Sequence, residues 1–67
     1  MRISYNKLWK MLIDKNMKKS DLKEKAGISS ASIAKLGKGD NITTDVLLRI
    51  CEALGCHLDD IMETIDE

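Results

Sequence analysis

Four lysines and a group of small hydroxyl side chains stand at spacings that suit a phosphate backbone. Lys18 and Lys19 open one short helical stretch, and Ser29, Ser30, Ala31, Ser32, Lys35 and Lys38 mark a second. At 100° per residue, Ile33 and Leu36 share one side of the second stretch. Ala31 and Lys35 point the opposite way, and Lys38 follows one turn later. Ser29, Ser30 and Ser32 surround its N-terminus, where free backbone N–H groups and the positive end of the helix dipole favour an anion. A helix whose outward face is polar or small is narrow enough to enter the major groove of a duplex. The plainer reading of the same lysines is a solvated surface that keeps the domain in solution.

Other chemistries find less support. Cys51, Cys56 and His57 invite a zinc site, but structural zinc takes four ligands and only three donors gather here. Cys51 falls on an apolar helix face with Leu47 and Leu54, so it reads as core, and no metal or cofactor is expected. His57 reads as the N-cap of a last helix or as an exposed turn residue. No Ser-His-Asp or Cys-His arrangement stands in a recognisable motif, which argues against an enzyme.

These residues need elements to position them. Tyr5, Leu8, Met11, Leu12 and Asn16 recur at intervals of three and four, which predicts a helix over residues 5–15. A short helix over 18–26 follows, with Leu22 and Ala26 on one face and Gly27 as its stop. Ser29 is a good N-cap for a helix over 29–36. Two short helices joined through a glycine form a helix-turn-helix. Gly37-Lys38-Gly39-Asp40-Asn41 is the strongest loop signal in the chain. Thr43 or Thr44 caps a helix over 44–54 that ends at Gly55, and Asp45 sits in its first turn. A fifth helix is predicted over 58–63, with the tail from Thr64 to Glu67 fraying. The expectation is an all-α, compact five-helix bundle forming one domain over residues 1–67.

The chain has 67 residues, enough for one small core. It lacks proline and phenylalanine, and its Lys, Leu, Ile, Asp, Glu and Met content favours helix over strand. Net charge is zero but segregated. Residues 1–39 hold ten of the eleven Lys and Arg against three acids (Asp14, Asp21, Glu24), whereas residues 40–67 hold Arg49 and eight acids. The basic part is the half a polyanion would attract. No run approaches the ~18 apolar residues of a membrane span, charges recur through Lys7, Lys10, Asp14 and Lys15, and two cysteines suit a reducing compartment. A cytoplasmic protein is therefore expected.

The stretch Lys18–Gly39, with Leu22, Gly27, Ser29, Ile33, Leu36 and Gly39 at fixed offsets, resembles the lambda-repressor-like, phage Cro-type (Xre family) domain. The later segment Thr43–Met62, carrying LLRICEALGCHLDDIM, is similar to the same family, so the resemblance spans residues 5–62. It implies a five-helix fold, transcriptional regulation and sequence-specific binding of double-stranded DNA through helix 29–36, frequently as a homodimer on a palindromic operator. Position by position, it implies base-edge contacts from Ser29, Ser30, Ala31 and Lys35. It implies phosphate contacts from Lys18, Lys19, Lys38, Asn41 and Thr43. Lys35 can donate to guanine O6 and N7, the serine hydroxyls discriminate weakly, and Ala31 can touch only a thymine methyl. The chain departs from the family at Lys18 and Lys19, where Ser or Thr and Gln are usual. It departs also at Leu12 and Gly37, where an Arg and a Glu usually pair. Losing both members of a partly buried pair can be neutral, whereas losing one is costly. Asp40 beside the proposed phosphate loop does not favour DNA.

Trp9, Leu48, Met62 and Ile65 are the candidates for an exposed apolar patch, which would mark self-association through a two-fold axis. The rival function is a protein-interaction module, such as the partner of a toxin, that keeps the fold with weak DNA affinity. The weak hydrogen-bonding set on helix 29–36, the zero net charge and the acidic residues 57–67 speak for it.

Overall fold

The computed structural model describes residues 1–66 as four α-helices closed by a two-stranded clasp: β1 (Arg2–Ser4), α1 (Asn6–Asp14), α2 (Lys19–Ala26), α3 (Ser30–Lys38), α4 (Thr44–Leu54), a 3-10 turn (Leu58–Asp60) and β2 (Glu63–Ile65). The strands pair antiparallel, Arg2 with Ile65, Ile3 with Thr64 and Ser4 with Glu63. The apolar periodicity of each helix points at a single core of Tyr5, Leu8, Leu12, Leu22, Ala26, Ile28, Leu36, Leu47, Ile50, Cys51, Leu54 and Ile61. Burying each large aliphatic side chain contributes about 1.5–3 kcal/mol before entropy is counted, so no element can be lost from so small a core. Among the described residues, no helix is long and apolar enough to cross a membrane.

Local chemistry explains most boundaries. α1 stops because Asn16 takes a left-handed φ of 57°, which asparagine tolerates better than most residues. Asn16 therefore closes the helix rather than sharing its apolar face. At the start of α2 the Asp21 carboxylate accepts the Lys18 N–H at 2.9 Å, half of a capping box, since lysine has no acceptor to complete it. Ser29 Oγ accepts the Ser32 N–H at 3.1 Å and Thr43 Oγ1 accepts the Val46 N–H at 3.3 Å, so both expected caps are made.

Two expectations are corrected. Gly37 and Lys38 belong to α3, not to a loop. A single helical glycine costs only about 1 kcal/mol against alanine, and Leu36, 1% exposed, anchors that turn in the core. The stop moves to Gly39, whose φ of 74° no ordinary side chain prefers. The predicted fifth helix over 58–63 is a single 3-10 turn, so the five-helix, all-α description does not hold. Ile61, fully buried, redirects the chain, and Glu63–Ile65 pairs with β1 instead of fraying. Strand pairing satisfies backbone groups that a lone two-turn helix would leave open at both ends. The last position of the expected tail, Glu67, lies outside the described residues.

Candidate nucleic-acid interface

α2, the turn Gly27–Ser29 and α3 form the expected helix-turn-helix, and three tethers fix its shape. Ile28 in the turn is buried against the core. Gly27 ends α2 in the left-handed region at φ 67°, and the Ile28 N–H returns to the Lys23 carbonyl at 3.1 Å. Arg49 on α4 bonds the Asp45 carboxylate at 3.0 Å and donates to the Gly27 carbonyl at 3.4 Å, pinning the turn to α4. In the sequence Arg49 stands out only as the one cation among residues 40–67. Its signal was present as an acid–base pair four residues apart on one helix, but the reach to Gly27 is a tertiary fact.

α3 rests on Leu36 and on the half-buried Ile33. Its other side presents Ser30, Ala31, Ala34, Lys35 and Lys38, all exposed. Three of the residues expected at base edges, Ser30, Ala31 and Lys35, therefore share an open face. Ser29 is exposed as well, but its hydroxyl is occupied by the Ser32 N–H and lies 3.1 Å from the Ser32 hydroxyl. Lys18, Asn41 and Thr43 are exposed at the two flanks, and the Thr43 hydroxyl is engaged as the α4 cap. The loop holding Asn41 is tied down by the Tyr5 hydroxyl, which donates to the Asp40 carbonyl at 3.2 Å. Burial raises the Tyr5 pKa above its ordinary value, and the Asp40 carboxylate adds to the shift.

Lys19 has a different environment. Its ammonium lies over the Trp9 ring, 4.7 Å from the centroid. It also lies next to Gly37, where a Cβ would stand 3.7 Å from Nζ. Trp9 is accordingly half-covered, and it lines a shallow hollow with Leu12, Ile13, Met17 and Lys19. Of the other three residues considered for self-association, Leu48 is 51% exposed, whereas Met62 and Ile65 are half-buried, Met62 against the core and Ile65 in β2. The large apolar side chains most open to solvent are Met1, Ile13, Leu48 and Leu58.

The acidic end comes close to the end of α3 through β2, where Thr64 borders one hollow with Gly39 and Asn41. Lys7 turns toward the acidic end, donating to the Asp59 carbonyl at 3.1 Å with the Glu63 carboxylate at 3.9 Å. His57 begins the 3-10 turn with its N–H on the Asp60 carboxylate at 2.9 Å. Cys51 and Cys56 are free thiols. The Cys56 N–H closes the end of α4 on the Cys51 carbonyl at 3.0 Å. Burial, with help from the Cys51 thiol, pushes the Cys56 pKa up to about 11. Among the described residues, no three His, Cys, Asp or Glu side chains gather as a metal site.

Comparison with known proteins gives a consistent picture. The family profile of the Cro/C1-type HTH DNA-binding domain matches residues 7–67. The crystal structure of the transcriptional regulator VanUg, Form II, is similar at 55% identity and a TM-score of 0.93, over 98% of this chain and 88% of that one. No curated protein matches.

Proposed function

This chain belongs to the Cro/C1-type helix-turn-helix DNA-binding domain family, and from that premise we propose that it represses transcription by laying α3 in the major groove of a specific duplex. The carrying observation is the open side of α3, with Ser30, Ala31, Lys35 and Lys38 exposed and Ile33 and Leu36 turned inward. Lys35, Ser30 and Ala31 read base edges in this proposal, with Ser29 supporting them from the cap. Lys18, Lys19, Lys38, Asn41 and Thr43 hold phosphates on either side. The protein acts as a homodimer on half-sites about 34 Å apart, one turn of DNA, and works in the cytoplasm, where its operator is. It acts by binding, not by catalysis.

A titration of labelled duplex DNA, with the chain's own promoter as first choice, tests this at about 50 and about 200 mM salt. Neutralising ~4 phosphates per monomer gives a slope of log K against log salt near −3.6. Absent or salt-independent binding overturns the proposal. One observation favours a second reading, a protein-interaction module such as a toxin's partner: the Ser29 hydroxyl is committed to the helix cap, which thins the hydrogen-bonding set that reads bases. Under that reading the same titration gives weak affinity with no preference among sequences.

A further inference from the structure

We propose that Trp9 is a positioning residue that holds the Lys19 ammonium, still charged, at the mouth between α1, the start of α2 and the end of α3, ready for a phosphate. The role rests on the DNA-binding reading above and adds to it a residue of α1, outside the helix-turn-helix.

A lysine on a helix surface has many rotamers, and fixing one against a phosphate loses that freedom. A side chain already placed loses less on binding. The means of placement decides whether the charge stays useful. Lys7 and Arg49 are ordered by carboxylates, Glu63 and Asp45, which spend their charge within the chain. Lys19 is ordered by an aromatic face 4.7 Å away and has no ion pair among the described residues. The ring quadrupole attracts a cation without neutralising it, and tryptophan does so best. The ammonium therefore remains able to take an anion.

Gly37 points the same way. Its backbone is ordinary helix, so no left-handed φ calls for glycine there. Glycine inside a helix is destabilising relative to alanine. The Lys19 ammonium sits 3.7 Å from where a Cβ would be, an ordinary contact, so alanine would fit there and only a longer side chain would compete for the place. An acidic one would also neutralise the charge. Lys19 is thus brought against the end of α3 at Gly37, one residue before Lys38.

The test is a cycle of variants, W9L, W9F, K19A and W9L/K19A, each first shown to fold by thermal melting. Affinity for a labelled duplex of mixed sequence is measured by anisotropy at the two salt concentrations used above. W9L in the otherwise unchanged chain is expected to weaken binding about two- to fivefold, the worth of an exposed cation–π contact. In the K19A background it is expected to cost nothing further, and W9F is expected to stay close to the parent. K19A itself should flatten the salt slope by about 0.9, one phosphate contact. Equal losses from W9L in both backgrounds, or W9F as harmful as W9L, give Trp9 a merely structural role and overturn the proposal while DNA binding stands. A parent chain that binds no duplex at low salt overturns the DNA-binding reading itself.

Discussion

Lys35 and Lys38 stand three residues apart on α3, so their side chains leave the same face as neighbours. We propose that they do different work. Lys35 lies over the middle of the open face, with Ser30 and Ala31 a turn or so back, whereas Lys38 is the last residue of the helix. Lys35→Ala is expected to cost about 1–3 kcal/mol at one operator position and to relax preference there, while Lys38→Ala weakens all sequences alike and lowers the salt slope by about one. Affinities across a panel of single-base-pair variants decide this, and a uniform effect of Lys35→Ala would remove it from the base-reading set. Ser29 illustrates the same distinction within a cluster that looks uniform on paper. Its hydroxyl holds the helix start, and Ser30, one residue on, is left to face outward.

The elements are separated by stops of one kind. α2, α3 and α4 each end in a left-handed residue from which the next N–H returns to the helix, and α1 ends similarly on Asn16. The stop at Gly27 matters most, because it sets the angle between α2 and α3 and its carbonyl is held by Arg49. A Cβ there would meet nothing within 4 Å, so the cost of a side chain is backbone strain alone. Gly27→Ala is expected to destabilise by about 1–2 kcal/mol. Gly27→Asn should cost less, for the reason that Asn16 is accepted at φ 57°. Urea unfolding curves measure both, and an alanine variant as stable as the parent would show that the turn relaxes out of the left-handed region.

At the scale of the molecule, the charge that is segregated along the chain meets in space. Lys7 binds the 3-10 turn and β2, and Thr64 of β2 borders one hollow with Gly39 and Asn41 beyond the end of α3. The core couples stability to high pH through two groups that lose protons reluctantly. Burial raises Tyr5, and Cys56 stands at about 11 against an ordinary value of 9.0. Both hold protons in the folded chain that the unfolded chain releases sooner, so the unfolded state binds fewer protons and stability falls as pH rises. The melting temperature is therefore expected to show no contribution from these groups below pH 9 and to decline from 9 towards 11. Thermal melts across that window check the sign, and a melting temperature that climbs there contradicts it.

Short-range regularities determined much of this protein. The apolar intervals, the caps Ser29 and Thr43, the stop at Gly27 and the uneven charge need only neighbours within a turn or two, and they defined four helices and the face that meets DNA in our proposal. Tertiary structure alone decided the rest. The segment after Ile61 becomes a strand because Arg2–Ser4, at the far end of the chain, supplies its partner. α3 runs on to Lys38 because Leu36 has a core to enter. Lys19 lies on Trp9, Arg49 reaches Gly27 and Tyr5 holds Asp40 because packing brings together groups that no local spacing relates. Helix propensity and capping act between near neighbours, whereas strand pairing and side-chain tethers depend on which distant segments the core has already made adjacent.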